Sequence, residues 1–195
     1  MKEPIIKFSS PFVVLDADDV DTDQIIPARF LTTTERTGLR ACLFFDWRYL
    51  PDGTPIAEFA LNRLDAGSAR ILVTGRNFGC GSSREHAVWA LTDAGFRAVI
   101  SESFADIFRA NALGNGLLPI QVDSALRDEL LRVPSAALTV DLATQTLACD
   151  GRTLAHFSID PFAKLCLMRG MDELEYLLSA DQAIAAHERK SALTW

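Results

Sequence analysis

Short, continuously apolar runs alternate along this chain with longer segments whose apolar residues recur at helical spacing. Phe12 to Leu15 and Ile71 to Thr74 are of the first kind, uninterrupted and largely β-branched, as strands buried on both faces of a sheet should be. Between them, Thr37 to Trp47 sets Leu39, Leu43 and Phe44 at helical spacing, while Tyr49 to Ala69 has the proline and glycine content of a long excursion. After Ile71 to Thr74, a glycine-rich turn leads into Arg84 to Gly95, where Ala87, Val88 and Leu91 share a helical face, and then to a strand over Ala98 to Ile100. This is a βαβ unit. A second helix is predicted over Phe104 to Ala112, with Phe104, Ile107 and Phe108 on one face, followed past Gly114 and Gly116 by a strand over Leu117 to Val122. Strands that alternate with helices in this way should run parallel.

Farther along, Leu138 to Leu142, Thr146 to Cys149 and Thr153 to Phe157 are joined by connections too short for crossovers, so these strands should be antiparallel. Asp150-Gly151 suits a type I′ hairpin turn, and Asp160-Pro161 suits the start of a helix. Helical segments over Met171 to Ser179 and Asp181 to Lys190 close the chain. The elements predict one α/β unit over residues 1–195: a mainly parallel central sheet, a small antiparallel layer, and a helical C-terminal extension over 160–195.

Composition narrows the function classes. With 195 residues, 49% of them hydrophobic, the chain can bury a substantial core. A net charge of −7 argues against a nucleic-acid or anionic-membrane surface, because the overall field repels phosphate. No stretch has the length of uninterrupted apolar residues that a bilayer needs, and the N-terminus has no secretory pattern, so a cytoplasmic location is expected. Cys42, Cys80, Cys149 and Cys166 are widely spaced, without the close pairs common in zinc and iron–sulfur sites, so no metal site is expected in this chain. His156 and His187 likewise lack ligand spacing and read as structural.

The chemistry concentrates in the turn Gly75-Arg76-Asn77-Phe78-Gly79-Cys80-Gly81-Ser82-Ser83-Arg84-Glu85-His86, between a buried strand and a helix, where an α/β sheet offers its binding crevice. Glycines allow successive N–H groups around Gly79, Cys80 and Gly81 to converge on an anion, and the helix N-terminus adds partial positive charge. Arg84 supplies a planar fork suited to carboxylate. A dinucleotide fingerprint would need glycine at Arg84, a Walker loop would need a Gly-Lys pair, and a nucleophile elbow on Ser82 would need glycine at Cys80 and Arg84. His86 remains available to Cys80 or Ser82 as a base. Two uses of Ser82 stay open: a helix cap with Glu85 in an S-x-x-E box, or a base whose alkoxide is held by backbone donors and Arg84.

The chain resembles the small subunits of bacterial 3-isopropylmalate dehydratase, the detached swivelling domain of the aconitase superfamily. The resemblance covers nearly the whole chain, and seven runs carry it in order: Asp21 to Ala28, Arg36-Thr37-Gly38, Phe45 to Arg48, Asn77 to His86, Trp89 to Thr92, Ser103 to Phe108, and Asp181 to Ala185. It implies a β/β/α three-layer swivelling domain. It also implies a large iron–sulfur subunit as partner, which carries a four-iron four-sulfur cluster and closes with this chain over a small dicarboxylate. By the resemblance, Ser82 is the base that takes a proton from carbon, while Ser83 and Arg84 help hold the alkoxide and a substrate carboxylate. Asp23 falls where the superfamily places an acidic residue near the site. It could equally stabilise a turn before Ile25. Substrate choice is expected from the loop after Pro27, with Arg29, Phe30, Leu31 and Thr32 as contacts and Arg36 as a candidate cation. A related hydro-lyase acting on citramalate, dimethylmalate or homocitrate, or a non-catalytic carboxylate-binding module, are the alternatives.

Overall fold

The computed structural model of the chain describes residues 2–63, 68–132 and 137–192. Its backbone is a seven-stranded mixed sheet in the order β4-β3-β2-β1-β5-β6-β7. The strands are β1 (Lys7–Leu15), β2 (Ile71–Thr74), β3 (Ala98–Ser101), β4 (Leu118–Gln121), β5 (Ala137–Asp141), β6 (Thr146–Cys149) and β7 (Arg152–His156). The helices are α1 (Thr22–Ile25), α2 (Phe45–Arg48), α3 (Glu85–Asp93), α4 (Asp106–Gly114), α5 (Ser124–Arg132), α6 (Pro161–Arg169), α7 (Glu173–Ser179) and α8 (Asp181–Ala192).

β1 joins the two halves. Lys7 to Pro11 pair antiparallel with β5, and Phe12 to Leu15 pair parallel with β2. The change of partner falls at Pro11, a residue with no N–H to give to a ladder. The fully buried strands β2 and β3 then separate two apolar cores. On one face Leu72 and Val99 meet Ile25, Val88, Leu91 and Phe108 from α1, α3 and α4. On the other, Ile71, Val73 and Ile100 meet Leu138, Val140 and Leu147 of the antiparallel strands, with Leu126 and Leu130 of α5. The layers are therefore antiparallel strands, parallel strands and helices, the β/β/α order.

Asp150 and Gly151 both have positive φ, 48° and 78°, as the hairpin turn requires. Asp160 caps α6 through the N–H groups of Phe162 and Ala163, with Pro161 in its first turn.

Three local expectations are corrected. Leu39, Leu43 and Phe44 are buried, but Leu39 and Leu43 flank a 3-10 turn (Arg40–Cys42) and Phe44 precedes the separate short helix α2. Phe44 stands between them at φ 50° and donates its N–H to Ile25 O at 2.7 Å, so a tertiary bond breaks the helix that the spacing predicts. Next, α5 was not anticipated, although Leu126 and Leu130 lie one turn apart and Asp123 accepts from Leu126 N at 2.8 Å. Finally, Ile107 leaves the apolar face of α4: Phe108 is 2% exposed and Ile107 is 54% exposed.

Candidate active site

The turn after β2 lies at the C-terminal ends of the parallel strands and is clamped from both sides. From the loop after β1, Val20 O accepts from Gly79 N at 2.8 Å and Thr22 N donates to Cys80 O at 2.9 Å. From the loop after β3, Ser103 O accepts from Phe78 N at 3.0 Å, and Ala105 N donates to Phe78 O at 3.0 Å. Phe78 is fully buried beneath the turn, edge-on to Phe108 with ring centroids 5.1 Å apart. Gly79 and Gly81 have φ of 79° and 83°. A Cβ on the first would overlap the Phe108 ring, and on the second the Asp21 carboxylate.

Ser82 is exposed on the resulting bend. Thr22 Oγ1 donates to its carbonyl at 2.8 Å, which fixes the backbone while leaving the hydroxyl unengaged. Among the described residues, the N–H groups of Gly81, Ser82 and Ser83 have no acceptor either. Of the Gly79, Cys80 and Gly81 N–H groups expected to converge on an anion, that of Gly79 is taken by Val20 O, while those of Cys80 and Gly81 have no acceptor among the described residues. The capping reading of Ser82 also falls. Arg84 is the N-cap of α3, and the Glu85 carboxylate accepts from Asn115 Nδ2 at 2.7 Å instead of closing a box with Ser82.

A cleft of about 240 Å³ opens beside the turn, lined by Thr22, Gly79, Gly81, Ser82, Ser83 and Arg84 on one side and by Ala105 to Phe108 and Asn111 on the other. Arg84 is largely covered and turns its fork onto Asp23: Nη1 meets Oδ1, and Nη2 meets Oδ2 at 2.6 Å. This hydrogen-bonded pairing holds the Asp23 carboxyl below its ordinary value and raises Arg84. Asp23 Oδ1 also accepts from Ala28 N at 3.1 Å, while Asp21 caps α1 in a capping box with Gln24. Asp21 thus stabilises the start of α1, while Asp23 both aligns Arg84 and ties down the chain after α1.

The loop after Pro27, expected to set substrate choice, lies elsewhere. None of residues 28–36 lines the cleft around Ser82. Arg29 is held by Asp46, with Nη1 to Oδ2 at 3.1 Å, and its guanidinium sits over Phe30 and Phe45. Phe30 packs on Phe45 at 5.0 Å, Leu31 packs on the helical-side core, and Thr32 is exposed. Arg36 stands over Trp89, 5.4 Å from the ring centre, in a separate cleft with Lys2 and Arg97. His86 is committed to the same loop through Thr33 O at 2.8 Å and lies against Trp89, so it is not placed as a base for Ser82 or Cys80. The Cys80 thiol donates to Asp19 O at 3.2 Å, and burial with Asp21 and Asp19 nearby pushes its pKa up, the opposite of a nucleophile.

The sequence reading gave no role to Thr22, Asp106, Ile107 or Asn111. Thr22 and the first residues of α4 fall within runs that carry the family resemblance, and that was the signal available for them. Asn111 lies one turn beyond Ile107, and its side-chain amide has no hydrogen-bond partner among the described residues.

A three-layer β/β/α domain with a glycine-bent serine turn at its strand ends is of the aconitase swivel type, and residues 5–125 match the aconitase C-terminal domain family. The chain is 57% identical over 191 residues to the 3-isopropylmalate dehydratase small subunit of Chloroflexus aggregans, covering 95% of this chain and 93% of that one. It is 55% identical to the small subunit of Anaeromyxobacter dehalogenans, over 95% and 97% of the two chains. The crystal structure of 3-isopropylmalate dehydratase (leuD) from Methanocaldococcus jannaschii superposes with a TM-score of 0.72 at 28% identity, over 93% of this chain and 99% of that one. The chain belongs to the family of 3-isopropylmalate dehydratase small subunits.

Proposed function

We propose that this chain is the small subunit of a hydro-lyase that interconverts 2-isopropylmalate and 3-isopropylmalate through isopropylmaleate, in leucine biosynthesis, with Ser82 as the base. The observation that carries this reading is the unengaged Ser82 hydroxyl, exposed at a cleft whose Gly81, Ser82 and Ser83 N–H groups have no acceptor. Those donors, at the start of α3, can hold an alkoxide that water would protonate at once. The alkoxide takes a proton from carbon, and the C–H electron pair becomes the second bond of the olefin as the hydroxyl leaves the neighbouring carbon with the C–O pair and is protonated to water. Addition of water the other way round, hydroxyl to the carbon that lost its proton and a proton from Ser82 to the carbon that lost its hydroxyl, completes the isomerisation. Arg84, aligned by Asp23 through one N–H of each terminal nitrogen, keeps its remaining N–H donors for a substrate carboxylate.

This reading, from the family resemblance, places the four-iron four-sulfur cluster on the large subunit; among the described residues no three His, Cys, Asp or Glu side chains group together. When bound, such a cluster supplies Lewis acidity to the departing hydroxyl. No helix among the described residues is long and apolar enough to cross a membrane, and all four cysteines are free, which suits a reducing cytoplasm.

The test is reconstitution with the iron–sulfur large subunit and assay of isopropylmaleate hydration. The pair should be active and each chain alone inactive. Ser82→Ala should assemble normally and lower turnover by about 10²- to 10⁴-fold, as loss of a positioned proton acceptor does. Near-normal turnover in that variant overturns the assignment of Ser82.

A further inference from the structure

Ile107 leaves about half of its surface to solvent, which is unfavourable for a large aliphatic side chain, while Phe108 and Ala112 of the same helix are buried. Among the large exposed apolar residues described, it is the one that lines the Ser82 cleft. Its position is fixed from both neighbours. Phe108 packs beneath it against Phe78 and Gly79, and Ala105, the N-cap of α4, donates to Phe78 O. The wall that carries Ile107 is therefore built on the same residue that supports the serine turn.

The chemistry of the reaction puts an alkyl group at that wall. In one direction the proton leaves the carbon that bears the isopropyl branch, and in the other it leaves the carbon next to it. Either way the branch lies within a bond of the carbon facing Ser82. Phe30 and Leu31, the apolar side chains of the loop after Pro27, are engaged with Phe45 and the core and do not line this cleft.

Resting on the function proposed above, we infer that Ile107 is a specificity-determining residue that packs against the branched alkyl end of the substrate. Asn111, one helical turn along the same wall, offers its unpartnered amide to the polar end.

The inference is tested by reconstituting Ile107→Ala and Ile107→Val with saturating large subunit and measuring kcat/KM for hydration of isopropylmaleate and of methylmaleate, which keeps both carboxylates and loses the branch. Ile107→Ala should lower the isopropyl-to-methyl ratio by about tenfold or more, the scale on which apolar pockets discriminate, and Ile107→Val should fall between it and wild type. An unchanged ratio at saturating large subunit overturns the inference, whether both rates fall together or neither changes. The underlying reading fails differently: Ser82→Ala in the same preparation would keep wild-type turnover.

Discussion

The two carboxylate oxygens of Asp23 hold the two terminal nitrogens of Arg84, with Nη2 2.6 Å from Oδ2, so the arginine that lines the cleft is already paired. A bidentate pair of this kind fixes the plane of the guanidinium as well as its charge. Asp23→Asn keeps the shape and removes the charge, so it should loosen the fork without unfolding the domain. Its pairing side chain is half exposed, and an exposed pair contributes about 1 kcal/mol or less to stability. The expected outcome in the reconstituted enzyme is a KM for the dicarboxylate raised about tenfold with a smaller change in kcat, and Arg84→Lys should behave alike. Unchanged kinetics in both variants would show that the pair serves only the fold.

The same pairing sets the affinity of the isolated chain. Arg84 is neutralised, Asp106 lines the opposite wall, and the protein carries a net charge of −7, so a dicarboxylate meets little attraction beyond the unpaired backbone N–H groups of the turn. The isolated chain should therefore bind isopropylmalate with a Kd on the order of 1 mM or weaker, measured by calorimetry or chemical-shift titration. Micromolar binding would favour a stand-alone carboxylate-binding module and count against a divided active site.

Much of this was legible in the sequence where local pattern and tertiary structure agree. The alternation of Ile71 to Thr74, Ala87 to Leu91 and Ala98 to Ile100 needs only its own apolar period to define β2-α3-β3, and Asp150-Gly151 needs only its backbone preferences. What escaped is what depends on distant partners. The bond from Phe44 N to Ile25 O breaks a helix that Leu39 and Leu43 predict, and the Val20 carbonyl takes the Gly79 N–H that was expected to face an anion. Ser82 and Glu85 have the spacing of a capping box, yet Asn115, thirty residues on, takes the Glu85 carboxylate. Ile107 has the helical phase of a core residue and projects into the cleft, because Phe108 already fills the space over Gly79.

Acid should weaken the fold through the carboxylates that anchor its loops. Asp18 accepts the Arg76 backbone N–H at 2.9 Å and is approached by Arg76 and Arg127, and Asp141 accepts from Thr144 N at 3.0 Å. Hydrogen bonds from those backbone groups, with the neighbouring cations, lower both pKa values. A carboxyl whose folded-state pKa is depressed contributes its stability fully above the unfolded value, near pH 4, and loses it as pH falls through the folded value. Urea-unfolding midpoints should therefore be insensitive to these groups above about pH 5 and decline below pH 4. Asp18→Asn should flatten that acid decline, and an unchanged slope would show that Asp18 has the same affinity for protons folded and unfolded.

Gly81 links the stability of the turn to its chemistry. At φ 83° any other residue is strained, and an added Cβ would meet the Asp21 carboxylate that caps α1. Gly81→Ala therefore combines backbone strain with displacement of a cap, and should cost about 1–3 kcal/mol in urea unfolding. The route that relieves the overlap moves Gly81 away from Asp21, and with it the Thr22 bond to Ser82 O that sets the serine backbone. Catalysis should then fall more steeply than stability: even where the variant is fully folded, turnover with the large subunit should drop by about 10²-fold, the cost of misplacing a reacting group by an ångström. Asp21→Ala separates the two effects. It removes the cap and the clash but not the strain, so in an Asp21→Ala background the added cost of Gly81→Ala should shrink. Full additivity of the two substitutions would show that Asp21 does not constrain the turn.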